Sequence, residues 1–325
     1  MKKIYTLIFI AISLVFAQDL NVNSIILSQN YEKIPVSQNR ADSAFFATQI
    51  AFSRLVDYEA YETFLGREVL ANIDAALRIN RFDTNGTLQL YRRAILEGMA
   101  GSIHLKRNSF VRGISRTNES QRLWAQLLGS EFDNEANFAL ALDEYYRITL
   151  FSRSPRRDRL NAVLERMRTA ILPDNKTSLY LSLSYIWVLQ EQRLWDEAQK
   201  TYERFFAKFP NNTMMLRAAQ TIAVDKENTA EIKRFATQLN EISIKRTPIN
   251  YSDLLSARRA LIFTSELPPQ PHVGAGFKPA LTRPEACELA RETIVFAQNI
   301  DTESQRISWV KRHLDAIRRF AAGCR

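Results

Sequence analysis

Apolar residues recur along most of the chain at the spacing of amphipathic helices, and strand-like alternation is rare. Phe45, Phe52 and Val56 begin this pattern, because intervals of seven and four residues return to one helical face. Ala60 and Phe64 continue the stripe, which predicts a first helix over residues 42–65. Similar patterns predict helices at 69–79, 88–103, 157–171, 179–190, 195–209, 213–223, 229–242 and 252–263. Residues 106–122 are polar and are compatible with either a long loop or a weak helix.

Residues 178–212 carry the most specific signal in the sequence. An apolar stretch is followed by a polar turn and then by a second helical pattern, in which Ala198 precedes Tyr202 by four residues and Pro210 follows. A small residue allows two antiparallel helices to approach, the aromatic residue fills the next turn of the same face, and proline ends the helix. This spacing resembles the second helix of a tetratricopeptide (TPR) repeat.

A second segment, residues 123–153, resembles the same repeat. Leu128, Gly129 and Phe132 match the first-helix pattern of the family, and Ala141 and Tyr145 match the second-helix pattern. The resemblance implies a helical hairpin here as well. The interval from Ala141 to Ala198 is not a multiple of the 34-residue repeat, so we expect an irregular array.

The predicted fold is therefore all-α: an irregular TPR-like α-solenoid of antiparallel helical hairpins, followed by a C-terminal helix pair. The predicted organisation is a signal peptide at 1–17, an extended arm at 18–40, a solenoid at 41–266, a Pro/Gly-rich linker at 267–283 and a helical hairpin at 284–325.

The TPR resemblance also implies a ligand site, because the first helices of stacked hairpins line a concave surface. If Ala198 and Tyr202 face inward, the helical phase predicts a peptide groove formed by Tyr180, Leu183, Trp187, Gln190, Arg217 and Thr221. For Trp187 two interpretations are open, namely an aromatic anchor for the ligand or a packing contact with the neighbouring helix.

The N-terminus predicts export. Lys2 and Lys3 precede a short apolar run at 4–16, and Val15 and Ala17 suit a cleavage site before Gln18. No cysteine follows that run, so no lipid-anchor motif is present, and no later stretch predicts a membrane span. We expect a periplasmic or secreted protein with no transmembrane segment after removal of the leader.

The net charge of the chain and its predicted export limit the classes of partner that we expect. The formal net charge is +9, but export makes nucleic acid an improbable partner. The basic stretch at 106–122 is interpreted as a solvated face, with weak contact to an anionic envelope surface as the alternative. Cys287 and Cys324 are the two cysteines, and an oxidising compartment would allow a disulfide. Straight helices turning at Ile300 would hold them about 16 Å apart, so their pairing stays open.

Catalytic chemistry is not indicated. His104, His272 and His313 have no metal-ligand spacing, and no phosphate-binding loop or nucleophile motif occurs, so no catalytic, metal or cofactor site is predicted. Glu119 and Ser120 form a dipeptide similar to the catalytic motif of lytic transglycosylases, but the Gly-Leu-Met-Gln run of that family is missing. We therefore expect a non-enzymatic protein for protein–protein interaction or scaffolding in the bacterial cell envelope. The alternatives are a helical enzyme acting on an envelope polymer and a structural component without a discrete ligand.

Overall fold

The computed structural model describes residues 25–26, 28–33, 37, 39–82, 86–151, 157–171, 179–206, 209–266 and 279–324. Within these ranges, the side chains of residues 150–151, 179–180 and 205–206 are outside the description. None of the described residues forms a β-strand, so the predicted all-α class is confirmed. The leader at 1–17, the first part of the arm at 18–24 and the linker residues 267–278 lie outside the described residues.

The helices are numbered in chain order and packed mainly against their neighbours in sequence. They are α1 (Arg40–Asp57), α2 (Phe64–Asn80), α3 (Gly86–Lys106), α4 (Phe110–Gln126), α5 (Asp133–Phe151), α6 (Arg157–Ile171), α7 (Leu179–Glu191), α8 (Trp195–Phe206), α9 (Thr213–Asp225), α10 (Thr229–Lys245), α11 (Tyr251–Phe263), α12 (Arg283–Ala297), α13 (Thr302–Gln305) and α14 (Ser308–Ala322).

The chain divides into two compact units, the first comprising Met1–Val56 and Phe64–Val188. Its core is rich in aromatic side chains. The ring of Tyr91 stacks on Phe132 at 3.9 Å between centroids and meets Trp124 edge-on at 5.8 Å. Phe45 of α1 approaches the same tyrosine at 6.5 Å. These rings join α1, α3, α4 and the start of α5 in one apolar cluster.

Helices α3 and α4 approach each other closely because of two glycines. A Cβ atom on Gly101 would lie 2.6 Å from Thr117 Oγ1 and 3.1 Å from its backbone nitrogen. A Cβ atom on Gly113 would lie 2.5 Å from Leu105 Cγ. Glycine at positions 101 and 113 thus allows this close packing, and residues 106–122 lie mostly within a regular helix, α4.

Gly101→Val should therefore destabilise the first unit by about 1–3 kcal/mol, because the new side chain meets the backbone of α4 and forces the pair apart. Denaturant unfolding followed by circular dichroism measures this loss. Gly86→Val is the matched control, since a Cβ atom there has no neighbour within 4 Å. An equal effect of the two substitutions would contradict the close α3–α4 packing.

The second unit comprises Asp57–Thr63 and Leu189–Arg325. Helices α8 to α11 pack in sequence, and α11, α12 and α14 form a three-helix contact at the C-terminal end. Ile307, Val310, Leu314 and Ile317 are all buried and form an apolar seam along α14. Burial of this seam against α11 and α12 fixes the C-terminal helices to the rest of the unit.

Within residues 178–212 the structure has two helices, α7 and α8, as the sequence pattern predicts. The division between the two compact units falls near the end of α7, so the packing of these helices as a hairpin stays a prediction. Ala198 and Tyr202 are buried, at 0% and 4% exposure. Asn212 is the N-cap residue of the next helix, α9, because its side chain accepts a hydrogen bond from the backbone nitrogen of Met215 at 3.1 Å. The helix predicted at 157–171 is also confirmed, with the same bounds.

The first helix predicted at 42–65 is wrong at its C-terminal end. Helix α1 stops at Asp57, and Glu59 has a positive φ of 53°. Side chains distant in sequence cap the helix, because Arg217 Nη2 and Asn250 Nδ2 donate to the Asp57 carbonyl at 2.8 and 3.0 Å. Phe64, assigned to the apolar stripe, is consequently exposed.

The hairpin predicted at 123–153 is also wrong. Leu128 and Gly129 lie in the turn between α4 and α5 instead of inside a first helix. Gly129 has a φ of +75°, a conformation that interrupts a right-handed helix and suits glycine. Ala141 and Tyr145 are buried in the middle of α5, so only the second half of the motif lies on a helix.

Candidate functional site

The structure places the predicted groove residues in two separate compact units. In the first unit, Leu183 is only 1% exposed and Trp187 is half-buried. The side chain of Tyr180 lies outside the described residues. Assignment of Leu183 to a ligand-facing surface is therefore wrong, because its helix buries it.

In the second unit, two of the remaining groove residues make internal contacts. Gln190 is buried and its Nε2 donates to the carbonyl of Ala218 at 3.2 Å. Arg217 is engaged in a cluster of ion pairs, and Thr221 is exposed and donates to the carbonyl of Arg217 at 2.9 Å. Gln190 and Arg217 thus satisfy polar groups of their own unit, and ligand binding by the predicted groove stays a prediction.

The ion-pair cluster is the main polar feature inside the second unit. Arg217 Nε donates to Asp253 Oδ1 at 2.6 Å, and its Nη1 donates to Glu59 Oε1 at 3.1 Å. Arg246 Nη1 lies 2.7 Å from Asp57 Oδ2. The three carboxylate side chains are at most 4% exposed, so these pairs are removed from water.

Neutral side chains complete the cluster. Asn250 donates from Nδ2 to Asp253 Oδ2 at 2.8 Å and accepts from the Asp253 backbone nitrogen at 3.2 Å. Thr213 Oγ1 donates to Asp57 Oδ1 at 2.9 Å. Each buried carboxylate oxygen of Asp57 and Asp253 thus has a donor, as burial of charge requires.

Burial and the oppositely charged partner shift the pKa of each of these groups in opposite directions. Burial raises the pKa of Asp253 to about 6 although the guanidinium of Arg217 lowers it, and the nearby Asp57 adds to the increase. Burial disfavours the charge of Arg217, but Asp253 and Glu59 more than compensate, so the Arg217 pKa lies above its usual value. The cluster joins the Asp57–Thr63 segment to α9, α11 and the end of α10, which indicates a structural role.

A cleft lies between α8, α9 and α10 in the second unit. Its volume is about 170 Å³. It is lined by Gln199, Tyr202, Glu203, Ala219, Ile222, Glu231, Arg234 and Phe235. The rings of Tyr202 and Phe235 meet at 85° with centroids 5.8 Å apart. A cavity of about 150 Å³ accommodates a benzene molecule, so the cleft has room for one aromatic or branched aliphatic side chain.

The rim of this cleft is charged. Arg234 lies over the ring of Phe235, with its Cζ 4.4 Å from the ring centroid. Glu203 lies on α8 and Glu231 on α10, and both line the cleft. Gln199 Nε2 donates to Glu203 Oε1 at 2.9 Å. Burial raises the pKa of the Tyr202 hydroxyl; the charge of Arg234 opposes this increase, and those of Glu231 and Glu203 add to it. The lining charges sum to −1, because two carboxylates accompany one guanidinium.

The sequence reasoning missed this cleft, although a signal was present. The TPR resemblance led to the first-helix face, whereas the cleft lies between α8, which is the second helix of the hairpin, and the next two helices. Glu203 directly follows the buried Tyr202 on α8, and Glu231 precedes the buried Phe235 by one helical turn on α10. Such a charge beside an aromatic residue at a helix surface is the signal that would indicate a binding cleft.

The basic stretch at 106–122 is partly neutralised within the first unit. Arg116 pairs with Asp74 and Glu97, both at 2.8 Å. Glu119 accepts from Arg122 at 2.9 and 2.8 Å and from Arg93 at 2.6 Å. Hydrogen bonding from Arg122 lowers the pKa of Glu119, which is opposite to the shift that a general acid needs.

Two of the three histidines, His104 and His313, lie in the described part of the chain. Burial lowers the pKa of His313 to about 3, with the charges of Arg259 and Arg217 acting in the same direction. Burial also lowers the pKa of His104, and Arg116 contributes. His272 lies outside the described residues. In the described part of the chain, no group of three or more His, Cys, Asp or Glu side chains is placed to hold a metal ion.

Cys287 and Cys324 form a disulfide in the structure, with their Cα atoms 5.7 Å apart. The separation expected from a turn at Ile300 is therefore too large. Helix α12 already ends at Ala297 and α14 begins at Ser308, so the connection takes up residues that the sequence pattern assigned to straight helices.

Comparison with known proteins found no matching family model, no matching curated protein and no matching solved structure. Among the described residues, no helix combines the length and hydrophobicity required to span a bilayer.

Proposed function

We propose that this protein is an exported, TPR-like α-solenoid that binds a segment of another protein in the bacterial cell envelope. The cleft between α8, α9 and α10 is the proposed binding site. The observation that carries the proposal is the combination of an apolar floor with a charged rim in that cleft.

Two features of the sequence support the proposed class, an exported TPR-like protein. The Ala198, Tyr202 and Pro210 spacing resembles a TPR second helix, and the basic and apolar residues at 2–17 are typical of a leader. The two consecutive helices α7 and α8 are compatible with that resemblance. Proteins of helical repeats commonly bind other chains along the surfaces of stacked hairpins, so the step from class to function is by analogy.

The chemistry of the cleft specifies the partner segment. Tyr202, Ile222 and Phe235 are the large apolar residues that line the cleft, and each is at most 4% exposed, so only their edges face the cleft where an apolar side chain would bind. Glu203 and Glu231 leave the lining with a net negative charge, which favours a lysine or arginine beside that side chain. The expected ligand is therefore a peptide segment with an aromatic or branched aliphatic residue adjacent to a basic residue.

Selection of a random peptide library on the purified full chain tests this. We expect enrichment of peptides with an apolar residue next to Lys or Arg. Glu203→Lys combined with Glu231→Lys should weaken binding of the selected peptides at least about tenfold, because attraction to the basic residue becomes repulsion. Binding is measured by titration calorimetry.

Glu241→Lys combined with Glu288→Lys is the matched control. Both glutamates are exposed, both lie outside the cleft, and the charge change is the same. Equal weakening by the two double variants would mean that net charge alone controls binding. Enrichment of acidic peptides, or of none, would overturn the proposed site.

A further inference from the structure

Three arginines form a positively charged strip on the second unit. Arg312 and Arg319 are exposed on α14, seven residues apart, so they lie on one face about 10 Å apart along the axis. Arg259 is half-buried on α11, which packs against α14. We call these three residues the arginine strip.

The arginine strip lacks neutralising carboxylates. Among the described residues, none of its guanidinium groups forms an ion pair, whereas neighbouring basic residues do. Arg318 pairs with Asp315 at 3.4 Å, and Arg283 pairs with Glu266 at 3.0 Å. Asp315 and Glu266 are thus already engaged with other cations, while Glu62 accepts a hydrogen bond from Ser308 at the start of α14.

Aromatic and imidazole groups position the strip. The Cζ of Arg312 lies 5.5 Å from the Trp309 ring centroid, and that of Arg259 lies 5.4 Å from the Phe263 centroid. Arg259 Nη1 lies 3.4 Å from Nδ1 of His313, which accepts this hydrogen bond as a neutral imidazole. The neutral histidine therefore leaves the positive charge of the three arginines unbalanced.

The three cations also affect one another. Burial lowers the pKa of Arg259, and the charges of Arg312 and Arg319 lower it further. Like charges held together cost free energy, and an anion bound between them would remove that cost. Guanidinium groups bind phosphate oxygens through paired hydrogen bonds, which makes arginine well suited to this ligand.

We propose that the arginine strip of α11 and α14 is a binding site for a phosphate group, distinct from the cleft between α8, α9 and α10. The phosphate is carried either by a small soluble ligand or by the headgroup of an anionic phospholipid. The site contacts the phosphate through Arg259, Arg312 and Arg319, so it depends on charge and guanidinium geometry instead of apolar burial.

Calorimetric titration of the full chain with inorganic phosphate, at an ionic strength fixed with sodium chloride, tests the site. We expect saturable binding to the unaltered protein. Arg312→Gln combined with Arg319→Gln should raise the dissociation constant at least about tenfold, because two charge-assisted contacts are lost. Both side chains are exposed, so the variant retains its fold, which circular dichroism verifies.

Arg306→Gln combined with Arg318→Gln is the control, because it removes the same charge from two exposed arginines that already pair with Glu303 and Asp315.

Flotation with phosphatidylglycerol vesicles, compared with phosphatidylcholine vesicles, separates the two sources of phosphate. Loss of vesicle binding in the strip variant alone identifies a lipid headgroup, and phosphate binding without flotation identifies a soluble ligand. The proposal would be overturned if the protein bound neither phosphate nor vesicles. It would also be overturned if both double variants lost the same amount of binding, or if acetate bound as strongly as phosphate.

Discussion

Arg217→Met should lower the free energy of unfolding by about 3–5 kcal/mol, the range typical for removal of one partner from a buried ion pair. The guanidinium of Arg217 contacts Asp253, Glu59 and the carbonyl of Asp57, and the two carboxylates are nearly inaccessible to water. Its removal leaves buried negative charge without a partner, and the methionine has no group to replace the lost donors. Urea unfolding followed by circular dichroism measures the change.

Arg318→Met is the control for this prediction. Its ion pair with Asp315 is exposed on both sides, and exposed pairs contribute about 0–1 kcal/mol. The difference between the two arginines thus isolates the effect of burial. A loss for Arg217→Met no larger than that for Arg318→Met would show that the cluster does not hold Asp57–Thr63 to its unit.

Cys287→Ser combined with Cys324→Ser should destabilise the second unit by about 4 kcal/mol. The disulfide spans 37 residues, and closure of a loop of that length in the unfolded chain accounts for this magnitude. For a unit of this size the loss corresponds to roughly 10 °C in the melting temperature. Differential scanning calorimetry of the variant and the oxidised protein gives the comparison.

The thiol content of the native protein provides the check on this second prediction. Oxidised protein should show no thiol that reacts with Ellman's reagent after denaturation. Two reactive thiols, together with an unchanged melting temperature in the double variant, would contradict the disulfide. Ser120→Ala is a suitable control, because that serine is buried in the other unit and its loss should not alter the transition of the second.

Local patterns predict the helices but not where distant residues interrupt them. The Ala198 and Tyr202 spacing correctly locates α8, because packing of a small residue beside an aromatic one is a property of the helix itself. The predicted first helix extends past Asp57, because the periodicity of apolar residues carries no information about Arg217 and Asn250, more than 150 positions away. Those two side chains decide where α1 ends.

Helical phase is similarly limited as a guide to the predicted groove. Helical phase indicates which residues share a face, but it does not show whether that face is open. Gln190 and Arg217 share their predicted orientation with Thr221, yet the first two donate to groups of their own unit. The cleft uses the face that includes Tyr202, which the helical phase assigns to internal packing only.

Photo-cross-linking with a selected peptide tests the central claim, binding in the cleft, most directly. A photoreactive phenylalanine analogue replaces the apolar residue of a peptide from the library, and the cross-linked sites on the full chain are located by mass spectrometry. We predict cross-links to α8, α9 and α10, at or next to Tyr202, Ile222 and Phe235. Cross-links confined to Trp187 or Thr221, which belong to the groove predicted from the sequence and are not fully buried, would contradict the account.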